Sequence, residues 1–215
     1  MGAIIEARLF ISAMPLQVMT SIEDITMNDL SYAKKQLLQS SMRLATLKNQ
    51  YYLSDEDKSP DEISVDDFNS VMLAVSPIVA ISDCQICVEL SAKAMFKTVG
   101  VNPVEKHNIE FSNDRVQGLL SGVPDDFDRL NDVPRVIFLT QFWERFYTLS
   151  KYGVPEQNIS SRDLMNANDA KRAIQDAEFT LEVATDLHDH IMSEKDIEIA
   201  DLTLSYDPEM VDPHL

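Results

Sequence analysis

The segment from Ser76 to Gly100 constrains the fold of this chain more than any other part of the sequence. Pro77 suits the first position of a helix, Ser76 suits its N-cap, and Gly100 suits a left-handed C-terminal cap. Between these signals apolar residues recur at steps of three and four, and a second apolar row lies beside them: Ile81, Cys84, Val88, Ala92, Met95, Val99 and then Ile86, Leu90, Ala94. The segment therefore predicts a central helix that is buried on several sides.

A narrow polar stripe runs along this predicted helix. Gln85, Glu89, Lys93 and Lys97 follow one another at four-residue steps. Glu89 lies one turn before Lys93, which is the favourable order for an ion pair within a helix. The stripe is therefore the part of the helix that we expect to carry polar chemistry.

Three further long helices and one short helix are predicted around the central one. The long helices span residues 28–53, 134–153 and 168–192, and the short helix spans 113–120. Asn28 and Asn168 are the predicted N-caps of the first and the last of them. No alternating strand pattern occurs, so the sequence predicts an all-α fold, an antiparallel up-and-down bundle of four to five main helices. We expect a bundle domain over residues 28–192, a short N-terminal helical arm over 1–27 and an acidic C-terminal tail over 193–215.

The predicted helix 134–153 carries two rows of side chains. Phe138, Phe142, Phe146 and Leu149 share one side, and we expect this aromatic side to face the core. Arg145, Thr148 and Tyr152 share a polar row at the spacing i, i+3 and i+7. The polar row is therefore expected to remain accessible.

Composition restricts the classes of function. The formal charge of −18 and the pI of about 4.4 exclude a broad nucleic-acid surface, which needs many lysines and arginines. The two cysteines, Cys84 and Cys87, fall within the apolar helix and predict core packing in a reducing compartment rather than zinc or redox chemistry. No signal peptide or membrane span is predicted. We expect a cytoplasmic protein with no cofactor.

Familiar catalytic motifs do not occur in the sequence. There is no phosphate-binding glycine loop, no His-Glu-x-x-His and no nucleophile elbow. The densest metal-like cluster is Asp186, His188 and His190, but His188 falls on an apolar row, so we expect surface and core roles and no metal site. His107 follows a loop, where a packing role is typical.

Four segments in a fixed order carry a family resemblance. They are CQICVELSAKAMFKTVGV, KHNIEF, RFYTLSKYG and NANDAKRAIQDAEFTLEVATDL. This order resembles the HEPN domain of prokaryotes, whose members have Gln, Glu and Lys at these spacings, a following His, and Arg-Tyr-Pro at the end of the next helix. The matching residues here, within a resemblance that covers roughly residues 28–192, are Gln85, Glu89, Lys93, His107, Lys151 and Tyr152. Lys151 stands where the family has arginine, and Gly153 stands where it has proline.

The resemblance implies a compact, often dimeric bundle that binds nucleotides or acts with a nucleotidyltransferase partner or within a toxin–antitoxin system. Some members are metal-independent ribonucleases with an Arg-x(4-6)-His motif, in which arginine binds the scissile phosphate and histidine assists proton transfer. No arginine of this chain has a histidine five to seven residues further on. At that distance from Arg145 lies Tyr152, a poor general base at neutral pH.

The leading hypothesis is a non-catalytic module that binds a nucleotide or a partner protein, with a homodimer as the expected assembly. Its candidate phosphate ligands are Lys93, His107, Arg145, Lys151 and Tyr152, supported by the polar stripe of Gln85 and Glu89. The same residues could instead form a structural ion-pair network with Glu89 and Glu144. Two alternatives remain open: a ribonuclease that uses His107 with Arg145, and a structural or regulatory protein that acts through a dimer face and its acidic tail.

Overall fold

The computed structural model describes residues 24–52, 76–103 and 112–198 together with residue 202, and every regular element in these ranges is helical. The α-helices are α1 Met27–Tyr52, α2 Pro77–Thr98, α3 Asn113–Gly122, α4 Val133–Tyr152, α5 Ser161–Leu164 and α6 Ala167–Glu194. Short 3-10 turns occupy Leu130–Asp132 and Pro155–Gln157, and one isolated bridge joins Val154 to Ile159. The predicted all-α fold is confirmed.

Helix α2 is the centre of the bundle and packs against α1, α4 and α6. One core cluster joins the beginning of α1, the end of α2, the beginning of α4 and the end of α6. A second cluster joins the end of α1, the beginning of α2, the middle of α4 and the first half of α6. Successive long helices therefore run in opposite directions, and the predicted antiparallel arrangement is confirmed.

The helix ends show which residues cap each helix. Gly100 and Gly153 have φ values of 74° and 64° and follow the ends of α2 and α4, as predicted. The N-cap of α6 was predicted at Asn168, but Asn166 caps the helix, because its side chain accepts from the backbone N–H of Asn168 and Asp169 while Asp169 bonds back to the N–H of Asn166.

The beginning of α1 also departs from the prediction, because its capping residue lies two positions before the predicted one. The predicted N-cap, Asn28, lies inside the helix. Thr26 instead accepts from the backbone N–H of Asp29, and the Asp29 carboxylate accepts from the Thr26 backbone N–H and hydroxyl. This exchange supplies the partners that an asparagine cap would have supplied.

Several predicted features lie outside the described residues. These are most of the N-terminal arm, the acidic linker before α2, His107, and the C-terminal tail beyond residue 198 apart from Leu202. The described start of the predicted tail, Ser193 and Glu194, completes α6. None of the helices in the described ranges combines the length and the apolar character that a membrane crossing requires.

Candidate functional site

Three residues of the polar stripe of α2 form one continuous chain of hydrogen bonds, whereas the fourth, Lys97, pairs with Asp29 on α1. The Gln85 amide donates to one carboxylate oxygen of Glu89 at 3.1 Å, and the Lys93 ammonium donates to the other at 2.6 Å. The side chains of Lys93 and Glu89 are only 15% and 18% exposed. The predicted Glu89–Lys93 pair is confirmed, and it is mostly shielded from solvent.

The negative charge of Glu89 affects the pKa of one residue on each of the neighbouring helices α1 and α4. Burial raises the pKa of Tyr32 on α1, and the negative charge of Glu89 raises it further. Burial and the same carboxylate also raise the pKa of Glu144 on α4, while Arg145 acts in the opposite direction. Glu89 therefore lies where α1, α2 and α4 meet, and Lys93 is the cation that compensates it most directly.

The outer face of α4 carries Arg145, Thr148 and Tyr152, and all three are exposed. Arg145 forms no ion pair within 4.0 Å among the described residues, although its charge offsets part of the rise in the pKa of the neighbouring Glu144. Lys151 donates to the Tyr147 hydroxyl and lies 4.2 Å from the centre of the Tyr147 ring. That hydrogen bond raises the pKa of Lys151. The predicted polar row is accessible as expected.

The aromatic row of α4 does not face the core in the way that the sequence predicted. Phe138 is 61% exposed and Phe142 is 39% exposed, and their rings stack with centroids 5.9 Å apart. The core is filled instead by a different row: Val133, Val136, Leu139, Thr140, Trp143 and Ser150. Phe146 and Leu149 lie at the edge of the core cluster, partly buried. The helix has two apolar rows, and packing on α2 buries the one that contains Trp143.

The described members of the predicted site have different partners and different exposure. Lys93 is bonded to Glu89 on α2, whereas Arg145, Lys151 and Tyr152 are exposed on α4. His107 lies outside the described residues, so its place as a ligand remains a prediction. An open groove of about 390 Å³ lies between α1 and α6, and none of the predicted site residues lines it.

The glycine after α4 explains one departure from the family pattern. Gly153 has φ 64° and ψ −142°, a conformation outside the reach of proline, whose ring holds φ near about −65°. Its N–H donates to the carbonyl of Leu149 at 2.9 Å, and an added Cβ would lie 2.3 Å from the carbonyl oxygen of Ile159. Glycine at this position turns the chain sharply away from Lys151 and Tyr152.

Asp186, His188 and His190, the metal-like group for which surface and core roles were expected, have separate partners. Asp186 accepts from Arg129 at 2.9 Å, and His188 is fully buried with its Nε2 3.3 Å from the carbonyl oxygen of Leu30. Burial lowers the pKa of His188, although its contacts with Asp189 and Leu30 act in the opposite direction. His190 instead approaches Asp126 and Glu194, a combination that the sequence analysis missed.

The two cysteines behave as core residues. Cys84 and Cys87 are free and fully buried. Burial raises the pKa of the Cys87 thiol to about 12 and raises that of Cys84 further above its ordinary value. A thiol with a raised pKa is a poor nucleophile and a poor metal ligand at neutral pH, so the predicted packing role is confirmed.

Comparison with known families agrees with the fold. The family model described as HEPN domain matches residues 78–187, just over half of the chain, and this range contains α2, α4 and most of α6. The chain belongs to the HEPN domain family, as the resemblance predicted. Comparisons with curated proteins and with solved structures gave no match.

Proposed function

We propose that this chain is a non-catalytic HEPN module that binds the phosphate of a nucleotide on the outer face of α4, with Arg145 as the principal ligand. The observation that carries the proposal is the state of Arg145, which is exposed and has no ion-pair partner among the described residues. A guanidinium group offers a planar set of donors that matches phosphate oxygens, and an unpaired one binds a phosphate without first breaking an internal bond.

The charge distribution supports α4 as the place where an anion binds. The chain carries a net charge of −18, yet α4 contains Arg135, Arg145 and Lys151 against Glu144 alone, which gives this helix a net charge of +2. An anionic ligand is repelled by most of the surface of an acidic protein. A net positive helix is therefore the favourable point of approach.

Neighbouring side chains supply further groups of the right chemistry. Tyr152 and Thr148 present hydroxyls on the same face as Arg145, and Lys151 adds a second cation at the end of the helix. The exposed ring of Phe138 lies two turns before Arg145 and offers an apolar face on which a nucleobase can stack. Lys93, the other candidate cation, is already bonded to Glu89, and in this proposal it supports the bundle.

The non-catalytic assignment rests on the missing histidine. No histidine follows any arginine at the spacing of the ribonuclease motif, and the residue in that position after Arg145 is a tyrosine. A ribonuclease that pairs His107 with Arg145 is the catalytic alternative. It is tested by incubating the chain with short RNA. Cleavage that disappears in both His107→Ala and Arg145→Ala variants would replace the proposal with the ribonuclease reading.

A thermal-shift panel followed by an affinity measurement tests nucleotide binding. The panel contains ATP, GTP, their diphosphates and short RNAs, each with and without Mg²⁺. We expect stabilisation by at least one nucleotide, and we expect Arg145→Ala to weaken its binding by about tenfold or more, the loss of one charge-assisted contact. Arg162→Ala removes the same charge from another exposed position and should bind as wild type does. No shift at millimolar ligand contradicts the proposal.

A second candidate function, self-association, is favoured by the exposed rings of Phe138 and Phe142. Large aromatic side chains at the surface are enriched at protein interfaces. We propose a homodimer whose contact includes these rings. Light scattering should give a dimer for the wild type and a monomer for Phe138→Ser. A wild type that is monomeric at working concentration contradicts this second proposal.

A further inference from the structure

Three side chains with metal-binding atoms converge at the end of α6, away from the outer face of α4. His190 and Glu194 are one turn apart on the helix, and Asp126 approaches from the loop between α3 and α4. The His190 Nε2 atom lies 3.4 Å from Asp126 Oδ1 and 3.9 Å from Glu194 Oε1. One ligand atom from each residue can be chosen so that all three lie within 4.8 Å of one another.

The imidazole nitrogen at the centre of this group has no hydrogen-bond partner. Nε2 of His190 is inaccessible to solvent, and neither carboxylate forms a hydrogen bond with it. Two ligands of one tetrahedral zinc ion, each bonded at about 2.0–2.1 Å, are separated by about 3.3 Å. The observed 3.4 Å between Nε2 and Asp126 matches this separation. The separation of Nε2 and Asp126 therefore fits two ligands of one cation, and Glu194, at 3.9 Å from Nε2, would have to move closer to become the third.

The surrounding structure holds these ligands in place. Asp126 lies in a turn closed by a hydrogen bond of 3.1 Å from the Phe127 N–H to the Pro124 carbonyl, and Val123 and Phe127 are both buried in the core. The Phe127 ring packs at 5.6 Å from the His190 ring. A loop that is anchored on both sides of its ligand loses little freedom when a cation binds.

Among the described residues, no basic side chain competes for the two carboxylates. Arg129, a basic residue of the same loop, pairs with Asp132 and Asp186. No lysine or arginine in the described ranges forms an ion pair with Asp126 or Glu194. Two carboxylates without a basic side chain provide the negative charge that a divalent cation needs.

We propose that Asp126, His190 and Glu194 form a binding site for a divalent cation of the zinc class. An imidazole nitrogen with two carboxylate oxygens suits Zn²⁺ and the neighbouring transition metals, whereas Mg²⁺ and Ca²⁺ prefer oxygen ligands alone. The Asp126 side chain is 75% exposed, so a cation and its water ligand can approach from this side of the group. The cation joins the loop between α3 and α4 to the end of α6 and stabilises that end of the bundle.

Isothermal titration of the untagged, chelator-treated full chain with Zn²⁺ tests the site. We expect one ion per chain and a higher melting temperature in the presence of Zn²⁺. Asp126→Asn should weaken Zn²⁺ binding by about tenfold or more, and His190→Ala should remove it. Asp125→Asn, the same change at the adjacent exposed residue, is the matched control and should bind as wild type does.

The outcomes separate this site from other sources of zinc affinity. Wild-type binding that is lost in Asp126→Asn and kept in Asp125→Asn supports the site. Binding that persists unchanged in Asp126→Asn places the ion elsewhere and overturns the proposal. A wild type that binds no Zn²⁺ also overturns it, and the three side chains are then only a histidine–carboxylate group. Because Asp126 is exposed, the Asp126→Asn variant should fold and should still test Zn²⁺ binding even when His190→Ala fails to fold.

Discussion

The polar stripe of α2 and the outer face of α4 carry the same kinds of side chain but are in opposite states. On α2, Gln85, Glu89 and Lys93 are mostly buried and bonded to one another. On α4, Arg145 and Tyr152 are exposed, and Arg145 lacks an ion-pair partner among the described residues. A buried charge must be compensated by a partner within the protein, whereas an exposed charge is solvated by water and remains available to a ligand.

This difference teaches that a family motif can contain residues with separate physical roles. Glu89 and Lys93 are among the residues that carry the family resemblance. They pair with each other at the place where α1, α2 and α4 meet, and this ion pair gives them a structural role. The exposed residues of the resemblance, Lys151 and Tyr152, lie on α4. The comparison predicts that variants of the stripe change stability, whereas variants of the outer face change binding.

The largest effect is expected at the turn that ends the outer face. Gly153→Pro forces φ from 64° to a negative value and removes the N–H bond to the Leu149 carbonyl. We expect a loss of about 3 kcal/mol or more in the free energy of unfolding. Urea denaturation measures it. A stable Gly153→Pro variant would show that the family's proline fits this turn after all.

A smaller effect is expected in the stripe itself. Lys93→Met leaves the mostly buried Glu89 carboxylate without its cation and should lower the free energy of unfolding by about 1–3 kcal/mol. Arg145→Met removes an exposed cation and should change it by less than about 0.5 kcal/mol. If urea denaturation gave the same loss in the free energy of unfolding for Lys93→Met and Arg145→Met, the two regions would not differ in their contribution to stability. Combining Lys93→Met with Glu89→Gln should recover part of the loss.

The pH dependence of stability tests another interior polar residue, His188. Its pKa is lowered in the folded state, so below about pH 6.5 the unfolded chain binds more protons and the folded state loses stability as the pH falls. The loss from this residue is at most about 1.4 kcal/mol per pH unit until the folded pKa is reached. His188→Gln should flatten the slope between pH 7 and pH 5. An unchanged slope would assign it to other groups.

The smallest stability effect is expected on the aromatic part of the outer face. Phe138→Ser removes a ring that is 61% exposed and should change the free energy of unfolding of the monomer by less than about 1 kcal/mol. Trp143→Phe, on the buried row of the same helix, also removes the indole donor to Asp176 and should be more damaging. Thermal unfolding in dilute solution compares the two, and the reverse order would place Phe138 in the core.

Much of the fold follows from local signals in the sequence. Pro77 with Gly100 and Pro134 with Gly153 bound α2 and α4 closely, because the fixed φ of proline suits the first turn of a helix and glycine adopts the positive φ of a C-terminal cap without strain. The misplaced cap of α6 had a readable signal, since Asp169 follows Asn166 at the capping-box spacing.

Other features depend on tertiary packing and have no local signal. Helix α4 has two apolar rows, and only its contact with α2 decides that the row with Trp143 is buried and Phe138 is exposed. Asp126 and His190 meet because the loop after α3 folds over the end of α6, which no spacing in the sequence indicates. The Glu89–Lys93 pair was predictable because one helix holds both residues.

The most direct test of the central claim is a comparison of nucleotide affinity between Arg145→Ala and Lys93→Met. Both are measured below their melting temperatures, with the nucleotide that gives the largest thermal shift for the wild type. We predict that Arg145→Ala weakens binding by about tenfold or more, while Lys93→Met stays within about twofold of the wild type. A loss of affinity in Lys93→Met with Arg145→Ala unchanged would place the ligand on α2 and contradict the account.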